Sequence, residues 1–153
     1  MSMDYTVVQA VRQHFGDGSY NNMSDQQLPP EVRLEGREKS FPFSCQNVDK
    51  SKVAVLQFQI VGSNGAGSMK INGANISGGI PDSVSTTHQH RRPPLATEFY
   101  AVTNNITTSQ IMLIPANVLD SDNILQIEAS ADDFIIDNIV VMYKTRNRSL
   151  PTG

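Results

Sequence analysis

Residues 53–61, VAVLQFQIV, decide how the rest of the chain is read. Ala54, Leu56, Phe58 and Ile60 alternate with Val55, Gln57 and Gln59. Successive side chains on a strand point to opposite faces, so this stretch predicts a strand with one wholly apolar face. Similar short segments lie on either side. In Ser40–Cys45, Phe41 and Phe43 stand two apart around Pro42, which suits an edge strand or a strand start. Met69–Ile71 predicts a short strand ending at Asn72-Gly73, a dipeptide fitted to tight turns. Glu98–Thr103 and Gln110–Ile114 predict two more strands. Asn123–Ala129 alternates with Leu125, Ile127 and Ala129 inward. Phe134–Tyr143 is apolar on both faces, as a central strand should be. Asp137 and Asn138 interrupt it, and buried polar groups need partners, so a bulge or a sheet edge is expected there. Pro115–Leu119 predicts a single helical turn. About seven to nine short strands separated by turn signals make a two-sheet antiparallel sandwich.

Composition agrees with that class. The chain has 153 residues, of which 39% are apolar and 18% charged, with 12 Asn, 15 Ser, 9 Thr, 10 Gly, 8 Pro and no Trp. Asn, Ser, Gly and Pro favour turns and punctuate strands, which argues against a helical bundle or a coiled coil. The net charge of −3 argues against a nucleic-acid partner, since such proteins are usually basic. No stretch approaches the length needed to cross a bilayer, so no membrane partner is expected. The N-terminus, MSMDYTVVQAV, shows neither a basic n-region nor a long apolar h-region, so synthesis in a cytoplasm without a signal peptide is the expectation. Cys45 is the single cysteine and reads as a small buried apolar residue. The sequons at Asn22, Asn75, Asn105 and Asn147 follow from the Asn, Ser and Thr content.

The ends differ from the middle. In Asp4–Phe15, Tyr5, Val8, Val11 and Phe15 fall near the helical period, with Asp4 placed to cap and Gly16 to stop a short amphipathic helix. Alternation of Tyr5, Val7, Gln9 and Val11 offers an extended arm instead. Gly16–Pro30 is polar and rich in turn formers, so residues 1–30 read as an arm plus linker, 31–145 as the sandwich, and 146–153 as a tail. The extensions carry few apolar residues with which to order themselves. That supports an alternative function: a structural subunit of a homo-oligomeric or phage or injection-type assembly. Its arm would pack Tyr5, Val8, Val11 and Phe15 onto a neighbouring copy.

The order of motifs is distinctive. The strand Ala54–Val61 is followed by KINGANI (70–76), then Ile80-Pro81, then IPANVLDSDNILQIEA (114–129) and DDFIIDNIVVMYK (132–144). This series, over roughly residues 40–144, resembles the galactose-binding-like jelly-roll domains. The resemblance implies an antiparallel jelly-roll sandwich. It implies a non-catalytic module that binds carbohydrate or protein through loops at one end, in some members with a structural calcium ion. It carries over no ligand residue. With no Trp present, stacking on a sugar would fall to Tyr20, Tyr100 or Tyr143, and the last two fit strand packing equally well.

Three groups of residues are candidates for a site. Gly78–Pro94 is the longest irregular stretch of the sandwich region and contains His88, His90, Arg91 and Arg92. His88 and His90 would share one side of an extended chain and could ligate a metal, though a third and fourth ligand are not specified. Arg91 and Arg92 could meet a phosphate, a carboxylate or an acidic protein partner, and a contact with a protein surface fits the loop best. Asp120, Asp122, Asp132 and Asp133 supply hard oxygen atoms suited to calcium, against the plainer role of turn residues at strand ends. No nucleophile elbow or P-loop is present: Gly62–Ser68 lacks the Lys-Ser/Thr ending and reads as a flexible turn. The expected function is therefore a non-catalytic recognition module with no cofactor, working through His88, His90, Arg91, Arg92 and Tyr100, with a glycan or protein ligand and a tendency to self-associate.

Overall fold

The structure, a computed structural model, describes residues 2–16, 34–61, 67–76, 108–130 and 133–146. The strands among these residues are β1 (Met3–Gln9), β2 (Gln13–Phe15), β3 (Leu34–Gly36), β4 (Glu38–Ser44), β5 (Ala54–Val61), β6 (Gly67–Ile71), β7 (Ala74–Asn75), β8 (Thr108–Ile114), β9 (Asp122–Ala129) and β10 (Phe134–Lys144). They form two sheets. One runs β3-β2-β10-β5-β8, with β1 also pairing β10; the other runs β4-β9-β6-β7. All neighbours are antiparallel except β2 and β3. The chain is an all-β jelly-roll sandwich, as its alternating segments and the family resemblance imply. Among the described residues no helix is long and apolar enough to cross a membrane.

The core lies between the sheets and is built by period-two alternation. Ala54, Leu56, Phe58 and Ile60 of β5 are buried, and so are Leu125, Ile127 and Ala129 of β9. Met69 and Ile71 of β6 and Phe41 and Phe43 of β4 close the cluster from the smaller sheet. β4 is an edge strand, which lets Pro42 sit in it exposed. β10 is central and pairs on both sides. Its register against β5 shifts between Asp137 and Val140, and Asn138 adopts a φ of 49°. This is the bulge expected where two polar residues interrupt an apolar run.

Over Asp4–Phe15 the N-terminal segment takes the extended form that the alternation of Tyr5, Val7, Gln9 and Val11 offers, not the helix. It forms β1 and β2, which pair in succession with the two halves of β10: Tyr5 lies opposite Met142, and Phe15 opposite Phe134. β-branched Val7 and Val8 fit a strand, and a register shift between Val7 and Gln9 breaks the strict alternation that would have identified one. The supposed arm is thus part of the sandwich of its own chain. Phe15 is fully buried, stacked on Phe134 at a ring separation of 5.5 Å and edge-on to Phe41 at 6.3 Å. It joins the two sheets, and burying it contributes on the order of 2–3 kcal/mol. Val8 packs half-buried against the core, whereas Tyr5 and Val11 are exposed.

Pro115–Leu119 is a turn with Asn117 at φ 66°, not a helical turn. Asn tolerates this left-handed conformation, and the amide of Asn117 donates to the carbonyl of Lys50 at 2.6 Å.

Candidate functional site

The turns gather at one end of the smaller sheet. There β4 ends at Ser44, β9 begins at Asp122 directly opposite it, and β6 turns into β7 at Asn72-Gly73. Pro42, Phe43, Ser44, Asn72, Asp122, Asn123 and Ile124 line an open groove of about 500 Å³.

Two asparagines fix the groove. Asn72 is left-handed at φ 52°, as the turn requires. Its amide group donates to Val118 O and Asn123 Oδ1, both at 2.8 Å, while its Oδ1 accepts the amide of Ile124 at 3.0 Å. Asn123 is buried; its Oδ1 accepts the amide of Asp120 and its Nδ2 donates to the Asp120 carbonyl, both at 2.7 Å. These bonds tie the β6–β7 turn to the turn before β9 and hold the polar lining in place. Within this frame the Ser44 hydroxyl donates to Asp122 Oδ1 at 3.1 Å. Asp122 is exposed, and an ionised carboxylate has capacity for further donors. Ile124 and Pro42 add exposed apolar surface beside it. The groove can therefore accept hydroxyl or amide donors next to a small apolar platform.

A different arrangement stands at the other end of the sandwich, separated from the groove by the length of β9. His14 Nε2 and Asp133 Oδ2 are 2.6 Å apart, and both side chains are almost wholly buried. A Cβ on neighbouring Gly16 would lie 2.1 Å from Asp133 Oδ1, and Gly16 has a φ of 136°, so only glycine admits this carboxylate. At the β10 bulge, Arg12 Nε donates to Asp137 Oδ2 at 3.3 Å, and Asn138 Nδ2 donates to Gln59 Oε1 at 2.9 Å. Asp137 Oδ1 is buried with no hydrogen-bond partner.

Cys45 is fully buried, and its thiol is pushed up to about 12, first by burial and then by the Asp4 carboxylate. A nucleophilic cysteine needs the opposite shift, so Cys45 is a packing residue. Tyr143 is also a packing residue. Its hydroxyl donates to Gln46 O at 3.2 Å, and burial raises its pKa, with no face open to a sugar.

The acidic candidates are dispersed. Asp120 pairs with Lys50 Nζ at 2.8 Å, Asp122 lines the groove, and Asp133 is buried with His14 at the far end. Asp132 lies outside the described residues, as do His88, His90, Arg91, Arg92, Tyr20 and Tyr100. Among the described residues no group of three His, Cys, Asp or Glu side chains could hold a metal ion. Asp120 and Asp122, at the start of β9, and Asp133, beside the start of β10, lie at opposite ends of the sandwich. Sequence reasoning identified Asn72 only as a turn residue and Asp122 as a turn residue or a calcium ligand, not as the lining of a groove. The one available signal was that three turn segments, at Ser44, Asn72 and Asp122, would cluster at one end of a sandwich.

No protein-family model matches the chain, and no curated protein matches it. Among solved structures the chain is similar to CBM35 from Cellvibrio japonicus Abf62, with 12% identical residues, a TM-score of 0.41, and coverage of 99% of this chain and 100% of that one. At that level of likeness no ligand and no site residue transfers.

Proposed function

We propose that the chain is a non-catalytic recognition module that binds a glycan through the turn end of its sandwich. The observation that carries this reading is the groove between Ser44, Asn72, Asp122 and Ile124. A sugar presents hydroxyl donors around an apolar C–H face. The exposed carboxylate of Asp122 and the Ser44 hydroxyl beside the exposed side chains of Ile124 and Pro42 match that pattern. The Asn72 and Asn123 hydrogen bonds supply a fixed scaffold, which lowers the ordering cost of binding. A protein surface is the other ligand class that suits an open groove. His88, His90, Arg91, Arg92 and Tyr100 belong to this proposal as a second part of the contact surface, carried by the segment that leaves β7.

The test is a glycan array probed with the full chain and with Asp122→Ala. Removing a hydrogen-bonding carboxylate from a contact costs about 1.5–3 kcal/mol, a drop of roughly tenfold or more in affinity. Binding that ignores Asp122→Ala counts against the groove. An alanine scan of His88, His90, Arg91 and Arg92, read against the same ligand, tests the second part separately.

A further inference from the structure

The outer face of the larger sheet carries a second feature, away from the groove and unrelated to the core. Register places Tyr5, Met142, Val55 and Leu113 side by side in one row across β1, β10, β5 and β8. The next row is Val7, Val140, Gln57 and Ile111. Met3 and Val53 extend the patch at its margin. Met3, Tyr5, Val7, Val53, Ile111 and Leu113 are each between 50% and 66% exposed. Isolated apolar residues on a surface need no explanation, but a continuous field four strands wide does.

We propose that this face is the interface of a homodimer, in which two copies pack their larger sheets face to face about a twofold axis. Three observations select a second copy as the occupant. First, the patch is self-complementary: among the described residues its two rows carry no charge, and Lys144, opposite Met3, stands at a corner. An isologous contact requires a surface that fits itself, and an uncharged apolar one does so without paired charges. Second, the area is adequate. Six side chains at this exposure present on the order of 600 Å² per copy, and half-buried Val55, Val140 and Met142 add to it, approaching the roughly 800 Å² per partner of a stable interface. Third, the surface is a poor fit for a polar ligand, since Gln57 supplies the one amide of the two rows. Two such sheets stacked at about 10 Å would make a four-layer sandwich, with Val55, Val140 and Met142 at its dry centre. The turn-end groove remains outside the contact, so dimerisation would present two grooves at once.

Sedimentation equilibrium of the full chain, from about 1 to 100 µM, tests this. The expected result is a concentration-dependent mass reaching twice the 16.8 kDa of the chain. Val7→Glu and Ile111→Glu each bury an unpaired charge in an apolar contact and should weaken association at least about 100-fold with the circular dichroism spectrum unchanged. If either glutamate variant fails to fold, Val7→Thr and Ile111→Thr keep a β-branched residue and should weaken association about tenfold. A monomer at every concentration overturns the proposal. So does a dimer that survives both folded variants, or a chain that stays monomeric while binding lipid vesicles through this face. Glycan binding at the groove is read separately on Ile111→Glu, so loss of one property leaves the other measurable.

Discussion

Glycine at position 16 is required by what sits opposite it. The buried pair of His14 and Asp133 occupies the volume a Cβ would need, and the backbone there is left-handed. Gly16→Ala should therefore destabilise the fold by about 2–4 kcal/mol, measured by urea denaturation, through displacement of a buried carboxylate from its partner. Cys45 makes a second residue-level test. With its thiol at about 12 and its side chain buried, it should resist a thiol reagent at pH 8 in the folded protein and react once the protein is denatured. Asp49 gives a pH test. Its carboxyl is held below the ordinary range, chiefly by the Ser51 hydroxyl at 2.6 Å. A depressed folded-state pKa adds stability above the unfolded value, and that stability is lost as pH falls through the folded value. Ser51→Ala should move the Asp49 carboxyl upward in an NMR titration, so that it protonates at less acidic pH.

At the scale of elements, strands with an undisturbed period of two were legible. β5, β9 and the inward pair of β4 alternate strictly because one face meets the core and the other does not. The bulge in β10 was legible too, since Asp137 and Asn138 could not both remain in a buried ladder. β1 and β2 were not. Tyr5, Val8, Val11 and Phe15 imitate a helical stripe because the register slips after Val7 and the strand is interrupted before Gln13. Phe15 then faces the core while Tyr5 faces out. What decides the matter is the open edge of β10, which no local pattern records. Deleting residues 2–9 should accordingly leave part of β10 unpaired and expose Val8's site on the core. The truncated chain should lose several kcal/mol or fail to fold in a denaturation experiment, whereas a dispensable arm would leave stability unchanged.

At the scale of the molecule, the sandwich brings together residues that are remote in sequence. Ser44 and Asp122 share a hydrogen bond across 78 positions, and Asn72 reaches Asn123 across 51. The groove was illegible for that reason: its parts are turn residues of ordinary type, and only the pairing of β4, β9 and β6 makes them one surface. The same long-range pairing separates Asp133 from Asp120 and Asp122, which are close in sequence and look like a calcium set. Asp120 itself pairs with Lys50. The most direct test of glycan binding at the groove is a glycan array probed with the full chain, Asp122→Ala and Asp120→Ala, followed by mass analysis of the bound glycan. Binding should be lost with Asp122→Ala, be retained with Asp120→Ala, and leave the glycan chemically unchanged. An empty array, binding indifferent to Asp122→Ala, or a cleaved glycan would contradict it.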